Sequence, residues 1–198
     1  MTKNAHDLTA LLGSRICHDL ISPLGAIGNG LELLSMTGAG GAEMSLIAES
    51  VANANARVRF YRIAYGASSS DQAMGRTEVS GILDDITRGG RVKIAWNCSG
   101  PVSRPEAKLA FLLIQCLETA MPYGGEIVVT SQDGTWRIHG LAEKLKVMPE
   151  LWDRLTSPSA DLDITPAQVQ FALAPEMMDS LGLTAEVQIR DRDILVSY

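Results

Sequence analysis

The 198-residue sequence has few residues of several informative types, and each shortage excludes a class of protein. Its three cysteines, Cys17, Cys98 and Cys116, are odd in number and widely spaced. This argues against a disulfide framework and a cysteine metal site, and favours a reducing cytosol. No run reaches the roughly 18 apolar residues that cross a bilayer, and the N-terminus lacks the apolar core of a signal peptide. We therefore expect a cytoplasmic protein without membrane spans.

The chain also lacks an excess of positive charge and any glycine-rich phosphate cradle. Its 17 lysines and arginines are outnumbered by 23 acidic residues, giving a net charge of −6, so nucleic acid is not an expected partner. No P-loop or metal-ligand spacing occurs in the sequence, and no Gly-x-Gly cradle occurs in its second half. We expect no cofactor or metal of its own. The length suits one large domain or two small ones.

The sequence does contain two long amphipathic helices at its N-terminal end. The first, predicted from about Asp7 to Ser35, has an apolar stripe at steps of three or four: Leu8, Leu12, Ile16, Leu20, Leu24, Ile27, Leu31 and Leu34. The second, from Glu43 to Tyr65, has a heptad-like stripe: Met44, Ile47, Val51, Ala54, Val58, Tyr61 and Tyr65. A glycine-rich connection at residues 37–42 reverses the chain, so the two helices form an antiparallel hairpin.

A single hairpin cannot cover stripes of this length. We therefore expect a homodimer in which two hairpins form a four-helix bundle. Burial of the stripes against the second half of the same chain is the alternative.

Beyond a linker at residues 66–71, the pattern changes to shorter mixed elements. Helices are predicted at residues 79–86, 106–121, 149–155 and 166–181, and strands at residues 91–96, 126–130, 135–139, 184–189 and 193–197. The predicted fold class is α+β, with helices on one face of a mixed sheet. We divide the chain into a helical hairpin, residues 1–68, and an α/β domain, residues 76–198.

His18 is the residue whose position is hardest to explain by packing. It is two residues, about 200°, from both Ile16 and Leu20, so it points away from the apolar stripe. A neutral imidazole has a free lone pair at physiological pH and can carry a phosphoryl group as a labile N–P bond. An ordinary solvent-exposed histidine is the alternative interpretation.

The neighbours of His18 suit such chemistry. Asp19 can orient the ring or accept its proton, although adjacent helix positions do not face each other. Ser22, one turn on, can bind a phosphoryl oxygen or a water. Pro23 is expected to kink the helix and free the carbonyl of Asp19. Arg15, one turn earlier, can neutralise the moving phosphoryl group or assist docking.

Residues 18–24, His-Asp-Leu-Ile-Ser-Pro-Leu, resemble the H-box of two-component histidine kinases. Residues 11–33 as a whole are more similar to the ChpT-type histidine phosphotransferases of alphaproteobacteria, including the Gly-Ala-Ile-x-Asn-Gly-Leu-Glu-Leu that follows the H-box. The second half resembles, in outline, the ATP-binding GHKL domain of such kinases. The resemblance implies a dimerising hairpin that carries phosphohistidine, followed by a GHKL-like (Bergerat-like) α/β sandwich.

The second half departs from the kinase pattern wherever a kinase holds its nucleotide. Residues 115–120 replace the asparagines of the N-box, and Thr119, at the magnesium position, is a poor ligand for a hard cation. Residues 140–144 stand where Asp-x-Gly-x-Gly is expected, and residues 164–170 lack a glycine-rich lid. We infer a degenerate domain that neither binds nor hydrolyses ATP, and acts as a scaffold or docking surface.

The resemblance implies a histidine phosphotransferase of a multi-step phosphorelay. His18 would accept a phosphoryl group from the receiver domain of a hybrid histidine kinase and pass it to aspartates of response regulators of the CtrA and CpdR kind. The receiver domain would supply Mg²⁺. Two alternatives remain: an ATP-dependent histidine kinase with an atypical nucleotide site, and a non-catalytic dimeric module that sequesters a kinase or regulator.

Three arginines late in the second helix are candidates for partner docking. In a hairpin that turns near Gly40, Arg57, Arg59 and Arg62 lie near the level of His18. Receiver domains have an acidic pocket around their phosphorylated aspartate, so these arginines can steer docking. An ordinary solvated helix face is the alternative for each of them.

Overall fold

The computed structural model describes residues 3–37, 41–69, 71–157 and 163–198. Within these ranges the helices are α1 (Lys3–Thr37), α2 (Gly41–Ala64), α3 (Arg76–Thr87), α4 (Arg104–Ala120), α5 (Pro149–Thr156) and α6 (Gln170–Leu181). The strands are β1 (Ala73–Met74), β2 (Val92–Trp96), β3 (Val102–Ser103), β4 (Gly125–Gln132), β5 (Thr135–Leu141), β6 (Glu186–Ile189) and β7 (Asp193–Ser197). In this part of the chain no helix has both the length and the apolar character needed to cross a membrane.

The predicted fold class, a helical hairpin followed by an α/β sandwich, is confirmed. The main sheet has the order β2-β4-β5-β7-β6, in which β2 and β4 are parallel and the other pairs are antiparallel. The turn between β4 and β5 has positive φ at Asp133 (51°) and Gly134 (79°), as a two-residue hairpin turn requires. The division at residues 68 and 76 stays a prediction. β1, between the two, pairs with β3.

Two features of the second half differ from the elements predicted from the sequence pattern. The pairing of β1 with β3 was not predicted, because two-residue strands are too short to show alternation. The helix predicted at residues 166–181 is divided into a 3₁₀ turn, Pro166–Gln168, and α6. Thr165 and Gln168 form a reciprocal capping box around that turn, so their side chains satisfy its first backbone groups.

Helices α1 and α2 form the predicted hairpin and approach each other closely at Gly30. A Cβ atom at this position would lie 2.6 Å from Cγ1 of Ile47, so a side chain here would push the helices apart. The predicted connection at residues 37–42 lies partly outside the described residues, at residues 38–40. α1 continues without interruption through Pro23, so this proline does not end the helix.

The end of the hairpin that is farther from Thr37 and Gly41, around His18, is called its lower end here. This lower end is anchored on α4. Phe60 of α2 stacks on Phe111 of α4 with ring centroids 4.9 Å apart. Lys108 Nζ donates a hydrogen bond to the carbonyl of Gly66 at 2.9 Å. α4 begins at the capping box formed by Ser103 and Glu106 and is buried along most of its length, so it is a rigid support for the hairpin.

The upper part of the hairpin, toward Thr37 and Gly41, has an apolar face that is exposed in the single chain. Large apolar side chains at heptad-like spacing on both helices are 42–67% exposed in the single chain: Ile21, Leu24, Leu31, Met44, Val51 and Val58. Burial against the second half, the alternative to a dimer, therefore holds only for the lower end, where Ile16 packs against the core and Tyr61 is buried. The described residues leave the upper face open.

Candidate functional site

His18 lies on the outer side of α1 with its side chain 85% exposed. Its position matches the geometric expectation that it points away from the apolar stripe. The Nδ1 atom lies 3.1 Å from Oδ1 of Asp19, so the ring and the neighbouring carboxylate are in contact despite being adjacent on the helix. The outer edge of the ring, with Nε2, is left to solvent.

Asp19 is the centre of a cluster of donors from both helices. Together with His18, Arg15 and Tyr61 it forms what is called the His18 cluster below. The side chain of Asp19 is only 12% exposed. Arg15 Nε donates to Oδ2 at 2.7 Å, and the hydroxyl of Tyr61 donates to the same oxygen. Arg57 Nη1 lies 4.0 Å from it. The second carboxylate oxygen is thereby directed toward His18.

These contacts keep Asp19 ionised and Tyr61 protonated. Burial by itself would raise the pKa of Asp19, but hydrogen bonds from Tyr61 and His18 and the charge of Arg15 outweigh it and hold the pKa below its usual value. Burial and the bond to Asp19 raise the pKa of Tyr61 to about 12. The pair is thus a carboxylate acceptor and a phenol donor throughout the physiological pH range.

An ionised Asp19 determines which tautomer of His18 fits this geometry. A carboxylate is an acceptor only, so the contact at Nδ1 requires a proton on Nδ1. The neutral ring then carries its lone pair on Nε2, the exposed nitrogen. The arrangement therefore presents a nucleophilic nitrogen to an incoming partner.

Ser22 and Pro23, the other two sequence-predicted neighbours, have different surroundings. Ser22 is exposed one helical turn from His18, on the side open to a partner. Pro23 is buried within α1. Their proposed roles, in hydrogen bonding and in kinking the helix, stay predictions.

The three candidate docking arginines are separated by the structure. Arg57 lies beside Asp19, and its Nε donates to Oδ1 of Asn53 at 2.9 Å. Arg59 forms an ion pair with Asp85 of α3. Arg62 lies with Arg59 along a cavity of about 310 Å³ between α2 and α3. Arg57 is thus the one of the three with a contact to the His18 cluster.

A second cavity, of about 420 Å³, separates the His18 cluster from the second half. It is lined by residues of α1, α2, α3, α4 and the 3₁₀ turn: Arg15, Arg57, Phe60, Tyr61, Ile86, Gln115, Glu118, Thr119 and Ala167. Arg15 spans it, because its Nη1 donates to the carbonyl of Ala167 at 3.0 Å. The guanidinium therefore joins α1 to the 3₁₀ turn before α6.

Sequence reasoning missed Tyr61 and Glu118 as members of this site. The apolar stripe of α2 predicts a buried ring at Tyr61, which is correct, but it indicates no role for the hydroxyl of that residue. A buried tyrosine usually bonds through its hydroxyl, and this was the available signal. Glu118 lies on α4, whose apolar pattern gave no reason to expect a carboxyl beside Arg15 and Arg57.

Glu118 makes the stability of this region dependent on pH. Burial raises its pKa from 4.5 to about 7, because the charges of Arg15 and Arg57 offset only part of the desolvation. The folded state thus binds more protons than the unfolded state between these values. Stability is therefore lost as the pH rises through about 7.

We expect Glu118→Gln to stabilise the protein by about 2 kcal/mol at pH 8 and by little at pH 5, because glutamine mimics the protonated acid. Thermal unfolding at the two pH values measures this difference. Glu126→Gln, at an exposed position near the start of β4, is the control for the loss of one carboxylate charge and should change the unfolding temperature little. A Glu118→Gln variant stabilised equally at both pH values would contradict the assignment.

The polar residues at the position of a kinase N-box are engaged within the protein. Gln115 accepts a hydrogen bond from the hydroxyl of Tyr65 at 2.6 Å. Thr119 donates to the carbonyl of Gln115 at 2.9 Å and accepts from Nε2 of Gln170 at 2.8 Å. These atoms do not form a set suited to Mg²⁺. Among the described residues, no group of three His, Cys, Asp or Glu side chains could hold a metal ion.

Comparison with known proteins gives a family match in the second half of the chain. Residues 76–193 match the family described as the histidine phosphotransferase C-terminal domain. Protein phosphotransferase ChpT of Brucella abortus (strain 2308) is 33% identical over 204 residues, which cover 100% of this chain and 97% of that protein. Both halves of the chain therefore have counterparts in one phosphotransferase.

A solved structure shows the same overall arrangement. A bacterial phosphotransferase, determined at 1.7 Å, superposes with a TM-score of 0.83 at 30% sequence identity. The match covers 100% of this chain and 98% of that one. The hairpin and the α/β domain are thus found together, in the same order, in a known phosphotransferase.

Proposed function

This chain belongs to the histidine phosphotransferase family, and on that premise we propose that His18 is the residue that carries the phosphoryl group. The protein is a phosphotransferase of two-component signalling. The observation that supports His18 is its geometry: an 85% exposed imidazole held at Nδ1 by a buried carboxylate. Such a ring is open to a partner only through Nε2.

The proposed transfer uses this geometry in two steps. Nε2 attacks the phosphorus of an aspartyl phosphate; the N–P bond forms while the P–O bond breaks, and the electron pair returns to the partner's carboxylate. In the second step a regulator's carboxylate attacks the phosphohistidine and the lone pair returns to Nε2. Asp19 stabilises the charge on the ring between the steps. Positioning accounts for most of the protein's contribution.

The protein works in a phosphorelay with kinases and response regulators. The donor we propose is the receiver domain of a hybrid histidine kinase, and the acceptors are CtrA-like and CpdR-like regulators. Mg²⁺ would be held by the receiver domain, since the described residues of this chain offer no cluster for it. We place this reaction in the cytoplasm, where the exposed thiol of Cys17 stays reduced.

Arg57 is the docking residue best supported by position. It is 34% exposed and lies beside Asp19, close to where the partner's acidic pocket would approach. Arg59 is paired with Asp85, and Arg62 lies one turn farther along α2, so we assign them to the edge of the docking surface. Charge complementarity of this kind mainly raises association rates.

We further propose that the protein is a homodimer built on the open face of the hairpin. The exposed apolar residues of α1 and α2 recur at bundle-like intervals, and a monomer would leave all of them in water. Two such faces packed together form a four-helix bundle, in which His18 remains outside because it points away from the stripe.

The second domain is proposed to act without ATP. Gln115 and Thr119 are engaged by Tyr65 and Gln170, so binding a nucleotide there would require breaking these bonds. The residues present do not fit a magnesium nucleotide, and no step of the proposed transfer uses one. The domain instead supports the phosphoacceptor through α4 and Ala167.

An ATP-free transfer assay tests this function. Purified protein is mixed with a ³²P-labelled phospho-receiver domain and then chased with an unlabelled response regulator. We expect acid-labile label to appear on the protein and then move to the regulator. Stable binding without any label would instead support a sequestering module, and labelling that requires ATP would support a kinase.

A further inference from the structure

Tyr61 connects the second half of the hairpin to the phosphoacceptor. It is 8% exposed on α2, and its hydroxyl donates to Oδ2 of Asp19, whose Oδ1 contacts His18. We propose that Tyr61 is a positioning residue that, through Asp19, fixes His18 in the tautomer with its proton on Nδ1. This inference rests on the proposed role of His18 as phosphoryl acceptor.

The contact between His18 and Asp19 needs an external support of this kind. Adjacent side chains on a helix do not face each other, and the terminal torsion of an aspartate is soft, so helix geometry alone does not hold the pair together. Tyr61 comes from the opposite helix and fixes one oxygen of the carboxylate. The other oxygen is then held toward the imidazole.

Arg15 is less suited to fix the carboxylate alone. Its side chain is 23% exposed, and its guanidinium is shared between Asp19 and the carbonyl of Ala167. A long, rotamer-rich side chain with two partners is a less rigid support than a buried aromatic ring with two torsions. Arg15 supplies charge, and Tyr61 supplies orientation.

Tyr61 is itself held by the second domain. Its ring stacks on Tyr65 with centroids 5.1 Å apart, and Tyr65 donates to Gln115 of α4 at 2.6 Å. Gln115 in turn donates to the carbonyl of Phe111 at 3.4 Å. A continuous path therefore runs from the core of the α/β domain to His18. This assigns to the domain a function that does not require a nucleotide.

The direct test is the tautomer of His18, measured by NMR of the full-length protein with ¹⁵N-labelled histidine at pH 8. In the wild type we expect the pattern of an Nδ1 proton with an unprotonated Nε2. In Tyr61→Phe, which keeps the ring and removes the hydroxyl, the two nitrogens should move toward the averaged values of a free imidazole. Tyr123→Phe is the matched control, since it also removes one hydroxyl and Tyr123 is an exposed residue outside this path. An unchanged His18 pattern in Tyr61→Phe would overturn the proposal.

Transfer kinetics give a second readout. We expect Tyr61→Phe to lower kcat for transfer from the phospho-receiver domain by about tenfold with little change in KM, because a positioning defect does not affect docking. A rise in KM with unchanged kcat would contradict a positioning role.

A reciprocal variant covers the case in which Tyr61→Phe does not fold. Burial and Asp19 together raise the pKa of Tyr61, so Asp19→Asn should lower that pKa below its wild-type value of about 12. Titration of ¹³C-labelled tyrosine measures it, and an unchanged value would show that the bond is absent. The NMR readouts do not depend on phosphate, so the positioning proposal and the acceptor role can fail separately.

Discussion

His18→Ala should reduce labelling of the protein by a phospho-receiver domain by roughly 1,000-fold or more, because the variant has no nucleophile at the position that faces the partner. The side chain is 85% exposed, so its removal should change the free energy of unfolding by no more than about 0.5 kcal/mol. Label on the protein after a fixed time, with a thermal unfolding curve of the same preparation, measures both effects.

Cys17→Ala is the matched control for this variant. Cys17 is exposed and precedes His18 on the same helix, so the substitution tests for a general disturbance of α1. We expect it to be labelled at the wild-type rate. Full labelling of His18→Ala would place the phosphoryl group on another residue and remove the basis of the proposed mechanism.

The second large effect concerns assembly. Leu24→Glu combined with Leu31→Glu should convert a dimer, of twice the chain mass of 21.2 kDa, into a monomer. Both leucines are more than half exposed in the single chain, so the substitutions cost little in the monomer. In a bundle they would bury unpaired carboxylates, and we expect the dimer Kd to rise by roughly 100-fold or more.

Leu141→Glu is the control for the assembly test. Leu141 is 42% exposed at the end of β5, away from the hairpin, and its substitution should leave the dimer intact. Sedimentation velocity over a range of concentrations distinguishes the species. A wild-type protein that is monomeric at all concentrations, or a double variant that stays dimeric, would contradict the bundle.

The helices of the hairpin and the exposure of His18 were accessible from the sequence for a simple reason. Periodicity reports which face of a helix is apolar, and the side chain of His18 is two positions from Ile16 and Leu20 on that face. The same reasoning placed the strands of the main sheet within a few residues. Local patterns of this kind depend on neighbours in the chain.

The support around His18 was not accessible because it depends on contacts between distant residues. Tyr61 reaches Asp19 across 42 positions, and Arg15 reaches Ala167 across 152. The apolar stripe of α2 likewise gave no indication that Tyr61 and Tyr65 are covered while Val51 and Val58 are exposed. That division arises from where α4 packs, which a pattern within α2 does not contain.

We have proposed that one exposed nitrogen, Nε2 of His18, carries the phosphoryl group. The test uses protein that has received its phosphoryl group from a phospho-receiver domain without ATP. ³¹P NMR identifies the phosphorylated nitrogen, and peptide mapping under alkaline conditions, in which phosphohistidine is stable, identifies the phosphorylated peptide. We expect one phosphoryl group per chain, on a peptide containing His18, with the resonance of the Nε2 isomer. A phosphoryl group on Nδ1, or on any peptide without His18, would contradict it.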